Sequence, residues 1–142
     1  MNILLVEDEV SVARVIGQEI EALGHSVNTA YTGQDALKKV TKTRFDLILL
    51  DIFLPDCKGH ELISKFKEAQ PDMGIVTMTG YNTKELELEV RQQRIIYYMV
   101  KPFRIEEMKE ILDYISKKKV TTMVQSSGVH GSRLENDENR PV

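Results

Sequence analysis

Short apolar runs alternate with helix-period stripes along the first 118 residues, and few folds accept that order. The runs are Ile3-Leu4-Leu5-Val6, a weaker one from Val27 to Ala30, Leu47-Ile48-Leu49-Leu50, Ile75-Val76-Thr77-Met78, and Ile96 to Val100. Continuous apolar runs of this length suit strands covered on both faces, as strands of a parallel sheet are. Between the runs lie helical stripes. Ala13, Ile16, Ile20 and Leu23 share one helix face, with Gly24 as a stop. Thr32 can cap a helix carrying Ala36, Leu37 and Val40. Leu62, Ile63, Phe66 and Ala69 form a third stripe, ended by Pro71, and Ile105, Met108, Leu112 and Ile115 form the last. Parallel strands need crossover connections, so the alternation predicts a doubly wound α/β fold: a five-stranded parallel sheet with helices on both faces.

The segment Glu85-Leu86-Glu87-Leu88-Glu89-Val90 has period two and reads equally as a strand. Asn82 and Thr83 before it supply helix caps, and the crossover between the fourth and fifth runs needs a helix, so we assign one. Leu86 and Val90 then share a face and Leu88 points away from it, toward solvent. From about residue 119 to 142 periodicity ends and Ser, Gly, Asn and Asp accumulate. The domain is therefore expected over 1–118, with 119–142 a disordered tail, a linker remnant or residues left by cloning.

Composition narrows the function classes. With 19 Lys+Arg against 22 Asp+Glu the net charge is −3, which gives no general attraction to nucleic acid or to an anionic membrane. No apolar run approaches the roughly 18–20 residues of a membrane span. The N-terminus reaches Glu7 too soon for an export signal. The single cysteine, Cys57, excludes an internal disulfide and a cysteine-rich metal knuckle. Together these point to a cytoplasmic protein that binds neither nucleic acid nor membrane directly.

Ligands of open parallel sheets bind beyond the C-terminal strand ends. Here the runs end in Glu7-Asp8, Asp51, Thr79 and Lys101-Pro102. A strand order of 2-1-3-4-5 makes the first and third strands neighbours, so Glu7, Asp8 and Asp51 converge. Three crowded carboxylates need a compensating charge. A hard cation such as Mg²⁺, bound through one or two carboxylates and waters, provides it. Lys101 adds a phosphate-binding ammonium and Thr79 a hydroxyl. The set describes a site where Asp51 attacks a phosphoryl group.

These residues resemble the receiver domain of bacterial two-component response regulators, of the single-domain chemotaxis or phosphorelay type. The resemblance lies in Leu4-Leu5-Val6-Glu7-Asp8-Glu9, Asp51-Ile52-Phe53-Leu54-Pro55 with Gly59, Met78-Thr79-Gly80 and Lys101-Pro102-Phe103, and it covers about residues 1–118. It implies a flavodoxin-like fold and phosphorylation by a histidine kinase or phosphotransfer protein. By the same resemblance Asp51 is the phosphoacceptor. Asp8 and Asp51 ligate Mg²⁺ directly, Glu7 through water, and Phe53 through its backbone carbonyl. Thr79 and Lys101 contact the phosphoryl group, and Tyr98 is the aromatic switch partner of Thr79. Phe53 and Tyr81, each two residues after a catalytic position, flank access to the phosphoryl group. The expected partner surface is the face of the fourth helix, fifth strand and fifth helix, engaging a downstream protein or an output domain missing from these residues. The alternative to a single-domain regulator is a receiver fragment of a longer one.

Three positions depart from the family pattern. Glu7 replaces the more usual Asp, Lys58 stands where an acid is common, and Arg94 where glycine is common. Cys57 reads as an incidental loop thiol and His60 as a helix-surface residue. An aspartyl-phosphate phosphatase of the haloacid dehalogenase type needs an acid two residues after its nucleophile, where this chain has Phe53. A flavin or nucleotide carrier on the same fold needs a Gly/Ser/Thr-rich phosphate loop after the first strand, where this chain has Glu7-Asp8-Glu9.

Overall fold

The computed structural model describes residues 1–128, which fall into a unit of Met1–Pro102 and a second that begins at Phe103. The first unit contains five strands: β1 (Asn2–Val6), β2 (Ser26–Ala30), β3 (Leu47–Asp51), β4 (Gly74–Thr79) and β5 (Tyr97–Val100). Its helices are α1 (Val10–Ala22), α2 (Gly33–Lys42), α3 (Ile63–Ala69) and α4 (Lys84–Arg91), with a 3₁₀ turn at Gly59–Leu62 leading into α3. All strand pairs are parallel, as the alternation predicts, and the order is 2-1-3-4-5, that of the flavodoxin-like fold which the resemblance implies.

Strand burial explains why the runs look as they do. Every residue of β3 is buried, because β3 pairs on both edges and is covered on both faces. β2 pairs only with β1 and is buried only at Ala30, which is why its run is the weak one. Alternate side chains go to opposite faces. Leu4, Val6, Ile48, Leu50 and Ile52 join Ala36, Val40, Ile63, Phe66 and Val90 from α2, α3 and α4 in one core cluster. Ile3, Leu5, Leu47 and Leu49 take the other face, where α1 packs on β1 and β2 and buries Ala13, Ile16 and Ile20.

Helix ends follow local chemistry. α1 stops at Leu23, and Gly24 turns away with φ 96°. Thr32 caps α2 and Thr83 caps α4, each hydroxyl accepting from the backbone amide three residues on. The ambiguous segment is helix: Val90 is buried and Leu86 partly buried on one face while Leu88 is 57% exposed, the pattern of period 3.6 rather than 2.

Arg94 takes φ 63°, a left-handed conformation that glycine adopts without strain. Beside it Lys67 of α3 donates to the carbonyl oxygens of Gln93 (2.5 Å) and Arg94 (3.0 Å), which fastens the turn after α4. Burial, and then the charge of Arg94, hold the Lys67 ammonium below its ordinary pKa. Arg94→Gly should therefore raise stability by about 1 kcal/mol, since it removes both the Cβ strain and a like charge. Urea unfolding should show a higher midpoint at unchanged m-value; a midpoint at or below wild type would contradict the strain argument.

In the second unit, α5 spans Ile105–Gly128 and so runs past residue 118, where the apolar stripe ends. No glycine or proline interrupts 105–127. Glu106 and Glu107 in its first turn complement the helix dipole, and Lys109 and Asp113 pair at 3.6 Å one turn apart. Met108, Ile111, Leu112 and Ile115 are buried. The rest of the expected tail, residues 129–142, lies outside the described residues.

Candidate functional site

The chain winds outward from β1 to β2 on one side and from β3 to β4 and β5 on the other. The crevice of such a sheet opens where the winding reverses, at the C-terminal ends of β1 and β3. Glu7 and Asp8 leave β1 there, Asp51 is the last residue of β3, Thr79 the last of β4, and Lys101 follows β5. One carboxylate oxygen from each of Glu7, Asp8 and Asp51 lies within 4.8 Å of the others. The Lys101 ammonium donates to Glu7 Oε1 at 2.6 Å and to Asp51 Oδ2 at 3.0 Å. Glu7 is 0% exposed, and its second oxygen accepts from the Glu9 amide at 3.1 Å. Asp51 Oδ1 accepts from the Phe53 amide at 3.2 Å. Thr79 is buried, with its hydroxyl accepting from the Tyr81 amide at 3.0 Å, and the Lys101 amide donates to the Thr79 carbonyl at 2.8 Å. The Lys101–Pro102 peptide is cis, which the sequence reading did not anticipate.

Burial raises the Asp51 carboxyl above its ordinary pKa, and the nearby charge of Glu7 adds to the shift, against the pull of Lys101. Burial by itself would lower the Lys101 ammonium, but its hydrogen bonds and charge pairing with Glu7 and Asp51 reverse the sign and hold it above the ordinary value. Three carboxylates against one ammonium leave two negative charges uncompensated. Hard oxygen donors and two surplus charges fit a divalent cation such as Mg²⁺ or Ca²⁺. Asp8 is exposed and open to such an ion. Glu7 is enclosed with both oxygens engaged, so it suits an indirect role, and its longer arm is what reaches Lys101.

An aromatic pair stands at the rim. The Phe53 and Tyr81 rings meet edge to face, with centroids 5.4 Å apart and planes at 77°, and Tyr81 is 74% exposed. Lys58 lies over the Phe53 ring at 5.6 Å, so the residue that replaces the common acid is spent on a ring contact. Tyr98 is buried; its hydroxyl donates to Asn82 Oδ1 at 2.9 Å, the Arg91 guanidinium lies 5.5 Å from its ring centroid, and burial pushes its phenol up.

His60 corrects the sequence reading. It is buried in the 3₁₀ turn rather than on a helix surface, with Nε2 3.1 Å from Glu89 Oε2 of α4 and Nδ1 without a hydrogen-bond partner among the described residues. The misreading arose because a 3₁₀ turn does not keep the helical period, so His60 faces Glu89 of α4 instead of solvent. Gly59, just before it, passes so close to the Asp51 carbonyl oxygen that a Cβ would overlap it. Cys57 is half-buried, and burial followed by the charge of Asp56 raises its thiol, which keeps it protonated and a poor nucleophile.

With that rim in place, comparison with known proteins is decisive. Residues 3–113 match the family described as response regulator receiver domain. The chain belongs to the response regulator receiver domain family. It is 36% identical over 107 residues to the response regulator ArlR of Staphylococcus aureus, covering 75% of this chain and 48% of ArlR. Other curated relatives are longer still, and the chain spans only 26% and 23% of their length. A CheY-like receiver domain from Methanospirillum hungatei superposes with TM-score 0.74 at 32% identity, over 82% of this chain and 97% of that one. The response regulator TrrA of Thermotoga maritima, solved in complex with Mg²⁺-BeF, gives TM-score 0.72 at 29% identity over 80% of this chain and 97% of that one. This receiver domain therefore has the flavodoxin-like fold, and its acidic cluster is of a kind that can bind a metal. Among the described residues no helix is long and apolar enough to cross a membrane.

Proposed function

We propose that this receiver domain accepts a phosphoryl group on Asp51 from a phosphohistidine of a histidine kinase or phosphotransfer protein. The observation that carries the reading is the charge arrangement: Asp51 shares Lys101 with the enclosed Glu7, next to the exposed Asp8. An Asp51 oxygen attacks phosphorus, the P–N bond breaks, and the imidazole leaves with a proton. Asp8, Asp51 and the Phe53 backbone carbonyl would hold Mg²⁺, with Glu7 acting through water, and the bound ion would supply positive charge against the phosphoryl oxygens. Lys101 holds a second phosphoryl oxygen, and the Thr79 hydroxyl turns from the Tyr81 amide to donate to a third. The work is positioning and electrostatics.

The new group carries about −1.5 to −2 charges at neutral pH. Drawing Thr79 toward it removes the hydroxyl from the Tyr81 amide, and Tyr98 repositions with the segment that holds Asn82. The partner surface then lies on α4 and β5, with exposed Leu88 contributing to it. On this reading the domain works in the cytoplasm beside its phosphoryl donor. A second reading, in which the chain is the receiver portion of a longer regulator, rests on the greater length of the curated relatives. The mass of the native protein in lysate separates the two.

The experiment is incubation with acetyl phosphate and Mg²⁺, with intact mass and peptide mapping. One phosphoryl adduct mapping to Asp51, absent when the metal is chelated, is expected. An adduct elsewhere, or one indifferent to chelation, would overturn the reading.

A further inference from the structure

The loop from β3 to the 3₁₀ turn carries Phe53 across the rim and is fastened at base and tip. At its base Phe53 pairs with Lys58 in an antiparallel bridge, the Leu54 amide donates to Cys57 O at 3.1 Å, and the Gly59 amide donates to Ile52 O at 2.6 Å. At its tip Asp56 reaches the first turn of α2. Its Oδ1 accepts from the Gly33 amide at 2.9 Å and its Oδ2 from the Gln34 amide at 3.0 Å. Thr32 takes the next amide, that of Asp35, at 3.0 Å. Three of the four free amides that open a helix are thus filled, two of them by one carboxylate from a distant part of the chain. Gly33 makes the approach possible: a Cβ there would lie 2.5 Å from Cys57 Sγ and 2.7 Å from Leu62 Cδ1.

We infer that Asp56 is a positioning residue for the metal site: by gripping the start of α2 it fixes the loop that carries Phe53, whose amide donates to Asp51 Oδ1 at 3.2 Å and whose backbone carbonyl the metal reading uses. The inference rests on the Mg²⁺ reading above. Mg²⁺ tolerates little departure from octahedral geometry, so a carbonyl on a loose loop is a poorer ligand than one on a fixed loop. Two charge-assisted bonds at the positive end of a helix are a firm tether. The α2 amides, Gly33 first, hold the Asp56 carboxyl below its ordinary pKa, so the tether stays ionised at neutral pH. Asp56 itself is not a ligand.

The test is calorimetric titration of the full chain with MgCl₂ for wild type, Asp56→Ala, Asp56→Asn and Asp8→Asn, each beside a metal-free melting curve. Asp56→Ala should weaken Mg²⁺ binding about tenfold, within the range seen when a residue that orients a ligand is removed. The loss should persist in about 0.5 M KCl, where a bare charge effect is screened. Asp56→Asn keeps an acceptor oxygen and should recover part of the loss. Wild-type Mg²⁺ affinity in Asp56→Ala, even with a lowered melting temperature, would reduce Asp56 to a cap of α2 and overturn the inference. So would a loss that disappears in high salt. Asp8→Asn separates the two levels. If it binds Mg²⁺ like wild type, the metal reading itself fails; if it loses binding while Asp56→Ala does not, only the positioning role fails.

Discussion

Asp51→Asn should abolish phosphoryl labelling by acetyl phosphate, leaving no adduct on intact-mass analysis at times when wild type is fully labelled. The amide nitrogen and carbonyl of Asn are too weakly nucleophilic to displace acetate, so this loss is larger than any change in metal affinity. The fold should survive. Asp51 sits in a buried strand where its charge is costly, and burial has already raised its carboxyl pKa. Removing that charge relieves repulsion with Glu7 while Lys101 keeps its 2.6 Å bond to Glu7. The melting temperature should therefore stay at or above the wild-type value. Labelling of Asp51→Asn at the wild-type rate would show that the nucleophile lies elsewhere. Lost labelling together with a collapsed melting transition would mean that Asp51 is needed for the fold, and the nucleophile assignment would then lean on the peptide map alone.

The phosphorylated domain should lose its phosphoryl group slowly, and Phe53→Asn/Tyr81→Glu should lose it about tenfold faster, a barrier lower by about 1.4 kcal/mol. Hydrolysis needs a water in line with the breaking P–O bond, on the side away from Asp51. The edge-to-face pair of Phe53 and Tyr81 stands at that rim, with Lys58 seated on the Phe53 ring. An edge-to-face pair is worth about 0.5–1.5 kcal/mol beyond its buried area, enough to keep the two rings together. Neither ring accepts a proton from water at neutral pH, whereas a carboxylate at position 81 orients it. The decay of the adduct after removal of donor, followed by intact mass, measures the rate. Equal decay, or faster decay in wild type, would exclude the ring pair as the control on lifetime. A long-lived phosphoryl state suits a relay intermediate or a sustained signal.

The parallel sheet and its strand ends were legible in the sequence because their causes are local. A strand buried on both faces must be apolar throughout, so Leu47 to Leu50 announces β3, and the polar residue that follows it has to be Asp51 at the rim. The strand order, which the family resemblance and no local signal implies, then brings Glu7, Asp8 and Asp51 together, since adjacent parallel strands end at the same edge. Caps such as Thr32 and Thr83 act over three residues and are equally local. Arg94 was marked in the sequence as a residue in a glycine position, and its φ of 63° carries the strain that this implies.

What only the tertiary structure decided depends on contacts between distant segments. Nothing near Asp56 in sequence says that its carboxylate closes the first turn of α2, because the partners lie 23 and 22 residues earlier. His60 looks like any polar residue in a mixed stretch; its burial follows from how the 3₁₀ turn meets α4 and Glu89. The division of labour within the acidic cluster is of the same kind. Composition and spacing alone make Glu7 and Asp8 interchangeable neighbours, and only the family resemblance separates their roles. The structure supplies the physical cause, since alternation at the strand end turns Glu7 inward to Lys101 and leaves Asp8 in solvent. Residue types and their spacing along one strand thus define the chemistry available to this chain. Which carboxylate is enclosed, which is open to a metal and which is used as a tether are set by packing, where burial and hydrogen bonding act across the sheet rather than along it.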